Sequence, residues 1–366
     1  MPRVLMKGNE AFGEGAVRAG CRHTFAYPIT PQSELAHFLA RRLPEIGGVF
    51  VQAESEVSAI NMVFGAAAAG ARVLTSSSSP GISLMQEGIS YIAGARLPCV
   101  IVNVMRGGPG LGNIAPAQGD YFQAVKGGGH GDYCQIVLAP ASVPEIIEMM
   151  ILAFDLADRY RNPVMVVGDG VLGQMMEPVE IEPGETRTAP AKPWATDGQG
   201  DRPAPNIISS LNIVPEDNER FNLDLAVMYA EIRRGEQRCE EYRLDDAELV
   251  LVAFGTVARV AKAVVDRARR DGIRAGVIRP ITLWPFPEDS VKRAAARADR
   301  FLVVEMSLGQ MVEDVRLSVE GEKPVHFFGR PGGLVPTVRE VCNEVKRITG
   351  VMPGAEDVPA ATGVDR

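Results

Sequence analysis

The chain has 366 residues, of which 46% are hydrophobic, and its formal net charge is -8 at pH 7. A chain of this length can bury more than one hydrophobic core, so we expect two domains. The excess of acidic residues argues against a nucleic-acid groove, because such grooves concentrate Lys and Arg.

The cysteines and the apolar runs narrow the class of protein further. The 5 cysteines are scattered without a C-x-x-C pair, so local spacing offers no ligand set for an iron–sulfur cluster or a zinc ion. We expect reduced thiols. The start of the chain lacks the apolar stretch of a signal peptide, and no later run reaches the length of a membrane span. The prediction is a soluble cytoplasmic protein that binds neither nucleic acid nor a membrane.

The first part of the chain alternates short apolar runs with helix-like segments. The predicted strands are 4–7, 24–27, 49–53, 71–75, 99–105 and 164–167, and the predicted helices between them include 31–43, 56–69 and 143–159. This alternation predicts an α/β fold with a doubly wound, mostly parallel sheet covered by helices on both faces.

The character of the sequence changes after this region. Residues 177–217 are rich in proline and show no periodicity, which predicts a linker or ordered arm, and a charged helical stretch is predicted at 222–242. Alternation then resumes, with strands at 248–255, 273–278 and 300–305 and helices at 257–271, 289–297 and 336–348. We therefore predict a first domain over 1–180, a linker and helix over 181–244, and a smaller α/β domain over 245–366.

Polar segments follow directly on four of the predicted strands. They begin at Tyr27, Glu54, Thr75 and Arg106. Because functional loops of such sheets gather at the carboxyl ends of the strands, we expect these segments to share one edge of the sheet.

Glu56 is the first candidate for chemistry, at the start of an apolar helix. Helix capping would explain a carboxylate there; the alternative is a buried carboxyl, with a pKa raised by desolvation, that donates a hydrogen bond or a proton to a heterocycle. Glu54 is interpreted as a solvated or capping neighbour. The hydroxyls of residues 75–79, between a strand and a helix, would face a ligand at a helix N-terminus.

Arg106 opens the glycine-rich loop 107–112. An arginine there can bind a carboxylate with two parallel hydrogen bonds, and the alternative is a surface arginine paired with an acid. The turn of Gly168, Asp169 and Gly170 is interpreted as a strand end, with no metal assigned. His130, in a second glycine-rich loop, is either an acid–base group or a structural or partner contact.

Together these motifs resemble the alpha subunit of the 2-oxoacid:ferredoxin oxidoreductases, which are thiamine-diphosphate enzymes. The resemblance rests on residues 27–31 (Tyr-Pro-Ile-Thr-Pro), 54–56, 75–81 and Arg106 with its loop, while residues 115–133 look most like the 2-oxoisovalerate type. It implies a pyrimidine-binding domain up to about residue 180. From about residue 245 it implies a domain like the transketolase C-terminal domain, with a family-like turn at 329–333.

The resemblance implies a role for each matching residue. Glu56 would hydrogen-bond the aminopyrimidine ring of thiamine diphosphate and promote removal of the C2 proton, and Thr30 and Arg106 would hold the 2-oxoacid carboxylate. The remaining cofactor-binding candidates are Tyr27, Pro28, Ile29, Thr75 and Ser76. Electrons would leave through iron–sulfur clusters, and coenzyme A would take the acyl group.

The resemblance also implies partners. The cofactor would be shared with a beta subunit that carries the diphosphate-bound Mg²⁺ and a [4Fe-4S] cluster, and gamma and ferredoxin-like delta subunits, with ferredoxin as acceptor, are expected. Three alternatives stay open. They are a 2-oxoglutarate-specific alpha subunit, which would need a second cation such as Arg72, Arg96 or Lys126, a transketolase-like or decarboxylase half-enzyme without electron transfer, and a non-catalytic assembly subunit.

Overall fold

The computed structural model describes residues 3–180 and 186–351, in which two mostly parallel sheets are covered by helices and a third sheet has two antiparallel strands. The strands are β1 (Arg3–Lys7), β2 (His23–Ala26), β3 (Val49–Gln52), β4 (Val73–Ser77), β5 (Cys99–Met105), β6 (Ile136–Leu138), β7 (Pro163–Asp169), β8 (Met176–Glu180), β9 (Cys239–Tyr242), β10 (Leu249–Val252), β11 (Ala275–Pro280), β12 (Thr282–Trp284), β13 (Arg300–Glu305) and β14 (Val325–Gly329). The helices are α1 (Gly8–Arg18), α2 (Ser33–Glu45), α3 (Glu56–Ala68), α4 (Pro80–Gly94), α5 (Tyr121–Lys126), α6 (Val143–Tyr160), α7 (Gly170–Gln174), α8 (Pro215–Gly235), α9 (Gly255–Arg270), α10 (Glu288–Ala295), α11 (Met311–Val319) and α12 (Val338–Thr349).

The first sheet has seven strands in the order β12-β6-β7-β5-β4-β2-β3, parallel except for β12. Its central strands β4, β5 and β7 are buried along their whole length, as expected of parallel strands covered on both faces. The predicted doubly wound α/β fold is confirmed, and the strand predicted at 99–105 has the observed bounds.

The second sheet has five strands in the order β14-β13-β10-β11-β9, with β9 antiparallel at one edge. The helix predicted over 222–242 is therefore wrong at its end, because α8 stops at Gly235 and residues 239–242 form β9. The strand prediction was also incomplete, since it contained neither β14 of this sheet nor β12 of the first sheet. Both are short, and β12 has only three residues.

The strand predicted at 4–7 exists, but its expected place in the parallel sheet is wrong. β1 pairs antiparallel with β8 in a separate two-stranded sheet. Three of its five residues are exposed, whereas a strand inside a covered parallel sheet is buried on both faces. β8 also adds regular structure to the beginning of the predicted linker, of which residues 181–185 lie outside the described part.

The two sheets are joined by side chains as well as by the chain itself. Gln118, fully buried, donates from Nε2 to the carbonyl of Phe254 at 3.0 Å and accepts from the amide of Met306 at 3.0 Å. Strand β12, from the second half of the chain, extends the first sheet by pairing with β6. The domain limits at 180 and 245 stay predictions, and residues 352–366 lie outside the described part. Within residues 3–180 and 186–351, no helix is both long enough and apolar enough to cross a membrane.

Candidate active site

Four neighbouring parallel strands, β3, β2, β4 and β5, end at one edge of the first sheet. Residues 27–31 follow β2, the glutamates 54 and 56 follow β3, and Arg106 follows β5. The predicted convergence at one sheet edge is confirmed. The predicted end of the next strand is wrong by two residues, because β4 continues to Ser77 and holds Thr75 and Ser76 inside the sheet.

Glu56 begins α3 but does not cap it. The hydroxyl of Ser55 is the cap and accepts a hydrogen bond from the amide of Ser58 at 3.2 Å. Glu56 is only 5% exposed, whereas Glu54 is exposed and bonded to the Ser58 hydroxyl. Because another residue satisfies the helix end, this geometry favours the interpretation of Glu56 as a buried functional carboxyl.

The carboxylate of Glu56 lies against the first turn of α4. A Cβ added at Gly81 would lie 2.5 Å from Glu56 Oε1 and 2.0 Å from Ser77 Oγ. The hydroxyls of Thr75, Ser77 and Ser78 are buried without a hydrogen-bond partner in the described chain. Buried polar groups are nearly always satisfied, so these hydroxyls have hydrogen-bonding capacity left for a bound ligand.

Gly81→Ala tests whether the site needs the close contact of Glu56 and Ser77 with Gly81. We expect the activity of the assembled complex to fall about tenfold or more, because overpacking a filled space costs about 1–3 kcal/mol and the displaced groups are the Ser77 hydroxyl and the Glu56 carboxylate. Gly235→Ala is the matched control, since it lies at the exposed end of α8, where an added Cβ would lie 3.9 Å from the Tyr160 hydroxyl. This control should keep full activity. Equal activity of the two variants would show that the site does not need this close contact at Gly81.

Arg106 is buried and turned toward the segment that follows β2. Its guanidinium donates from one terminal nitrogen to the carbonyl of Thr30 at 2.9 Å and from the other to the carbonyl of Leu111 at 3.1 Å. Its Nε is buried without a partner in the described chain. The structure therefore brings Thr30 and Arg106 together and excludes the surface-arginine interpretation, while the role of Arg106 in binding a carboxylate stays a prediction.

A buried hydrogen-bond network that was not predicted from the sequence connects the start of α4 with the loop of Arg106. Asp120 Oδ2 accepts from the Ser79 hydroxyl at 2.6 Å and from Asn103 Nδ2 at 2.9 Å. The same hydroxyl accepts from the amide of Arg106 at 3.0 Å. Burial raises the pKa of Asp120, opposed by these hydrogen bonds and by the charge of Arg106. Ser79 directly precedes α4, so the network sets the start of that helix against the Arg106 loop.

The segment after β2 is held mainly through its backbone. Gln32, fully buried, donates from Nε2 to the carbonyl of Tyr27 at 3.2 Å and accepts from the Ser76 hydroxyl at 3.0 Å. Tyr27 and Pro28 are exposed and Ile29 is half-buried. The hydroxyl of Ser76 therefore has a structural role, because it positions the Gln32 side chain that binds the Tyr27 carbonyl. No local pattern in the sequence had indicated Gln32.

Two other candidate residues, His130 and Asp169, have structural contacts of their own. His130 is exposed and packs edge-on against Tyr91, about 15 Å along α4 from Gly81 at 1.5 Å per residue. Asp169 is buried and accepts hydrogen bonds from the amides of Val171 and Leu172, so it caps α7. Burial raises the pKa of Asp169. Among the described residues, no group of three His, Cys, Asp or Glu side chains is placed to hold a metal ion.

Two of the three cations considered for a second substrate carboxylate are paired with acids, and the third, Arg96, lies away from Glu56. Arg72 is buried and paired with Asp158 and Asp155 at 2.7 and 2.9 Å. Arg72 and Arg96 precede β4 and β5, so they lie at the opposite edge of the sheet from Glu56. Lys126 is paired with Asp314 at 2.6 Å.

Comparison with known families defines the class of protein. A model described as pyruvate flavodoxin/ferredoxin oxidoreductase, thiamine diphosphate-binding, matches residues 14–239, and one described as pyruvate:ferredoxin oxidoreductase core domain II matches 247–341. This is an α/β subunit with a thiamine-diphosphate-binding domain and a smaller second domain. The chain belongs to the 2-oxoacid:ferredoxin oxidoreductase family.

Relatives refine this assignment. The ketoisovalerate oxidoreductase subunit VorB of Methanothermobacter thermautotrophicus is 51% identical over 96% of this chain and 99% of its own. The 2-oxoglutarate synthase subunit KorA of Archaeoglobus fulgidus is 40% identical over 90% of this chain and 95% of its own. The predicted order of resemblance, 2-oxoisovalerate type first and 2-oxoglutarate type next, agrees with these values.

Solved structures support the same fold. The 2-oxoglutarate:ferredoxin oxidoreductase from Magnetococcus marinus superposes with a TM-score of 0.87 at 28% identity, over 94% of this chain and 65% of that chain. A split-gene transketolase, an inactive tetramer, has a TM-score of 0.58 at 13% identity, which is a likeness of fold alone. The predicted pairing of a pyrimidine-binding domain with a transketolase-like second domain is confirmed.

Proposed function

We propose that this chain is the alpha subunit of a complex that oxidatively decarboxylates a branched-chain 2-oxoacid such as 2-oxoisovalerate. The products are acyl-coenzyme A, carbon dioxide and reduced ferredoxin. The observation that carries the proposal is the buried carboxylate of Glu56, which lies with the unpartnered hydroxyl of Ser77 against Gly81, at the sheet edge that also holds Arg106. The identity to a ketoisovalerate oxidoreductase subunit supports the substrate.

The residues around Glu56 fit one half of a thiamine diphosphate site. Glu56 would hydrogen-bond the ring, with residues 27–29 and the hydroxyl of Thr75 beside it. The hydroxyl of Ser76, which is bonded to Gln32, would act through the turn after β2. When bound, the cofactor supplies a carbon nucleophile for the 2-oxo carbon and an electron sink for decarboxylation. This chain contributes the carboxyl group of Glu56, which would exchange a proton with the ring. The residues around Glu56 shield this carboxyl group from bulk water.

Arg106 and Thr30 orient the substrate. The guanidinium is held by two backbone carbonyls, which leaves its Nε and its positive charge for a carboxylate. A rigid, desolvated cation of this kind positions the 2-oxoacid so that the bond to carbon dioxide is aligned for cleavage, and this positioning lowers the entropic part of the barrier.

The remaining half of the site is assigned to partners. Exposed apolar side chains, Val57 beside Glu56 and Leu84 on α4, flank the buried carboxyl and offer a surface that a beta subunit would cover. That subunit would hold the diphosphate, Mg²⁺ and a [4Fe-4S] cluster, and gamma and delta subunits would pass electrons to ferredoxin. We place the complex in the cytoplasm.

The test is anaerobic purification of this chain with its native partners, followed by coenzyme-A-dependent viologen reduction. 2-Oxoisovalerate, 2-oxoglutarate, pyruvate and an aryl 2-oxoacid are compared by kcat/KM. Fastest use of 2-oxoisovalerate supports the proposal, and preference for 2-oxoglutarate would replace it with the second candidate. Release of carbon dioxide from the 2-oxoacid without viologen reduction, by a complex that holds no iron, would point to a non-redox half-enzyme. No turnover by a complex holding thiamine diphosphate and intact clusters would overturn the catalytic assignment.

A further inference from the structure

Ser79 has a backbone conformation that serine rarely adopts. It precedes α4 with a φ of 24° and a ψ of -79°. The other described non-glycine residues with positive φ, which are Arg96, Arg161, Arg243 and Glu320, have φ between 49° and 55°, in the ordinary left-handed region. Ser79 lies outside that region, and strain of this kind persists only where the surrounding contacts determine the conformation.

Hydrogen bonds from neighbouring segments hold Ser79 in this conformation. Its amide donates to Asn103 Oδ1 at 3.1 Å, and its carbonyl accepts from the amide of Ser83 at 3.0 Å. Its hydroxyl donates to Asp120 Oδ2 at 2.6 Å and accepts from the amide of Arg106 at 3.0 Å. The short distance to Asp120 is typical of a charge-assisted bond from a hydroxyl to a carboxylate. Asp120 therefore fixes the hydroxyl that binds Arg106.

Ser79 is connected to both parts of the candidate site. Arg106 is bonded to it through its amide, so the backbone of the residue predicted to bind the carboxylate moves with Ser79. Gly81, two residues after Ser79, lies against the carboxylate of Glu56, because a Cβ added there would lie 2.5 Å from Oε1. A shift of Ser79 therefore changes the position of Arg106 and the contact between Gly81 and Glu56.

The second domain holds the residues on either side of Asp120. Gln310 lies in this domain, which the family model matches over residues 247–341. Its side chain donates from Nε2 to the carbonyl of Gly119 at 2.7 Å and accepts at Oε1 from the amide of Phe122 at 2.8 Å. One amide side chain from the second domain thus fixes the backbone that carries Asp120.

Gln310 is itself held in place. Glu305, fully buried at the end of β13, accepts hydrogen bonds from the amides of Gln310 at 3.1 Å and Met311 at 3.0 Å. Tyr121 adds a second contact between the domains, since its hydroxyl donates to Asp314 Oδ2 at 2.6 Å. The support of Asp120 is therefore built from bonded groups of the second domain.

We propose that Asp120 is a positioning residue through which the second domain holds Ser79, and with it Arg106 and the start of α4, in the geometry that decarboxylation requires. The inference rests on the proposed function and adds to it a role for the second domain. Asp120 does not touch the substrate; it sets the positions of groups that do. A misplacement of about 1 Å at such groups can lower a rate about a hundredfold.

Asp120→Ala tests the proposal in the complete complex with its native partners. It removes the acceptor of the Ser79 hydroxyl, so Arg106 and the first turn of α4 lose their common support. We expect kcat/KM for 2-oxoisovalerate to fall about tenfold to a hundredfold, with a higher KM as well as a lower kcat. A complex that merely assembles less well would lose kcat and keep the wild-type KM, so the rise in KM separates positioning from stability.

Asp120→Asn is the conservative variant. An asparagine oxygen still accepts hydrogen bonds from Ser79 and Asn103, and the change removes a negative charge near the predicted carboxylate site. The KM for 2-oxoisovalerate should therefore stay at or below the wild-type value. A KM as high as that of Asp120→Ala would show that the charge of Asp120, and not its hydrogen bonds, supports activity, and this result would overturn the positioning role.

Gln310→Ala tests the connection to the second domain. It should raise KM for 2-oxoisovalerate about threefold to tenfold. It should add nothing in a complex that already carries Asp120→Ala, because the two residues act through one contact. Glu313→Ala, exposed on α11, is the matched control and should keep the wild-type KM. If Asp120→Ala does not assemble, a KM of Gln310→Ala equal to that of Glu313→Ala overturns the inference, and a higher KM supports it.

A wild-type KM in assembled Asp120→Ala and Gln310→Ala complexes would overturn the inference and leave the proposed function intact. Independent, additive effects of the two changes would overturn the connection to the second domain. A wild-type complex that turns over no 2-oxoacid would overturn the proposed function, and this inference with it.

Discussion

Glu56→Gln is expected to lower kcat of the assembled complex by about 10²–10⁴-fold, because proton transfer by a positioned side chain contributes about that much to catalysis. Glutamine preserves the shape that packs against Gly81, but it cannot exchange a proton. The buried hydroxyls of Thr75 and Ser77 beside it cannot take over, since a hydroxyl is a far weaker acid than a carboxyl group. The measurement is steady-state viologen reduction with 2-oxoisovalerate at saturating coenzyme A.

The control for this variant is Glu54→Gln, two residues earlier in the chain. Glu54 is exposed and bonds only to the hydroxyl of Ser58, so its loss should leave turnover unchanged. Size-exclusion chromatography and the iron content of the complex verify that both variants assemble. Wild-type turnover by an assembled Glu56→Gln complex would remove Glu56 from the mechanism.

Arg106→Ala is expected to reduce kcat/KM for the 2-oxoacid about a hundredfold, since loss of a desolvated charged partner costs about 3 kcal/mol. The loss should appear mainly in KM for the 2-oxoacid, with little change in the thiamine diphosphate concentration needed for activation. The alanine variant also releases the carbonyls of Thr30 and Leu111, so part of its effect comes from the loop that they hold.

Two further variants separate charge from geometry. Arg106→Lys keeps the charge but loses the planar fork, so it should fall between wild type and alanine. Arg22→Ala removes a guanidinium that donates to the carbonyls of Val17 and Cys21 just before β2, at the opposite edge of the sheet. The KM of the Arg22→Ala complex for the 2-oxoacid should stay at the wild-type value. Unchanged activity of Arg106→Ala at low substrate concentration would show that Arg106 does not bind the carboxylate.

The parts of the molecule that sequence reasoning predicted well depend on short-range patterns. The bounds predicted at 99–105 and 300–305 are those of β5 and β13, because both strands are short, mostly apolar segments between turn residues. The start of α3 at Glu56 was also predicted, from the apolar, alanine-rich segment that begins there, although Ser55 as its cap was not. Parallel strands place their carboxyl ends at one edge, so the approximate meeting of Glu56 and Arg106 followed from the strand pattern.

The parts that were missed depend on partners far away in the chain. β1 has an ordinary strand pattern, but its pairing with β8 instead of the main sheet is a contact between residues 3–7 and 176–180. The three-residue β12 is too short to show a period, and it is a strand only because β6 offers it an edge. Local propensity contains no information about such pairing, which is set by the packing of the whole domain.

The candidate site divides in the same way. Its residue types are encoded locally, since Glu56 and Arg106 each stand in a helix start or a loop that directly follows a parallel strand. These strands, β3 and β5, end at the same edge of one sheet. Asp120 and Gln32 carry no local signal, because their roles come from hydrogen bonds to Ser79 and Ser76, 41 and 44 residues away. A buried hydrogen bond forms only when folding brings both groups together out of water. For that reason the network behind Arg106 is a property of the packed structure and not of any segment of the chain.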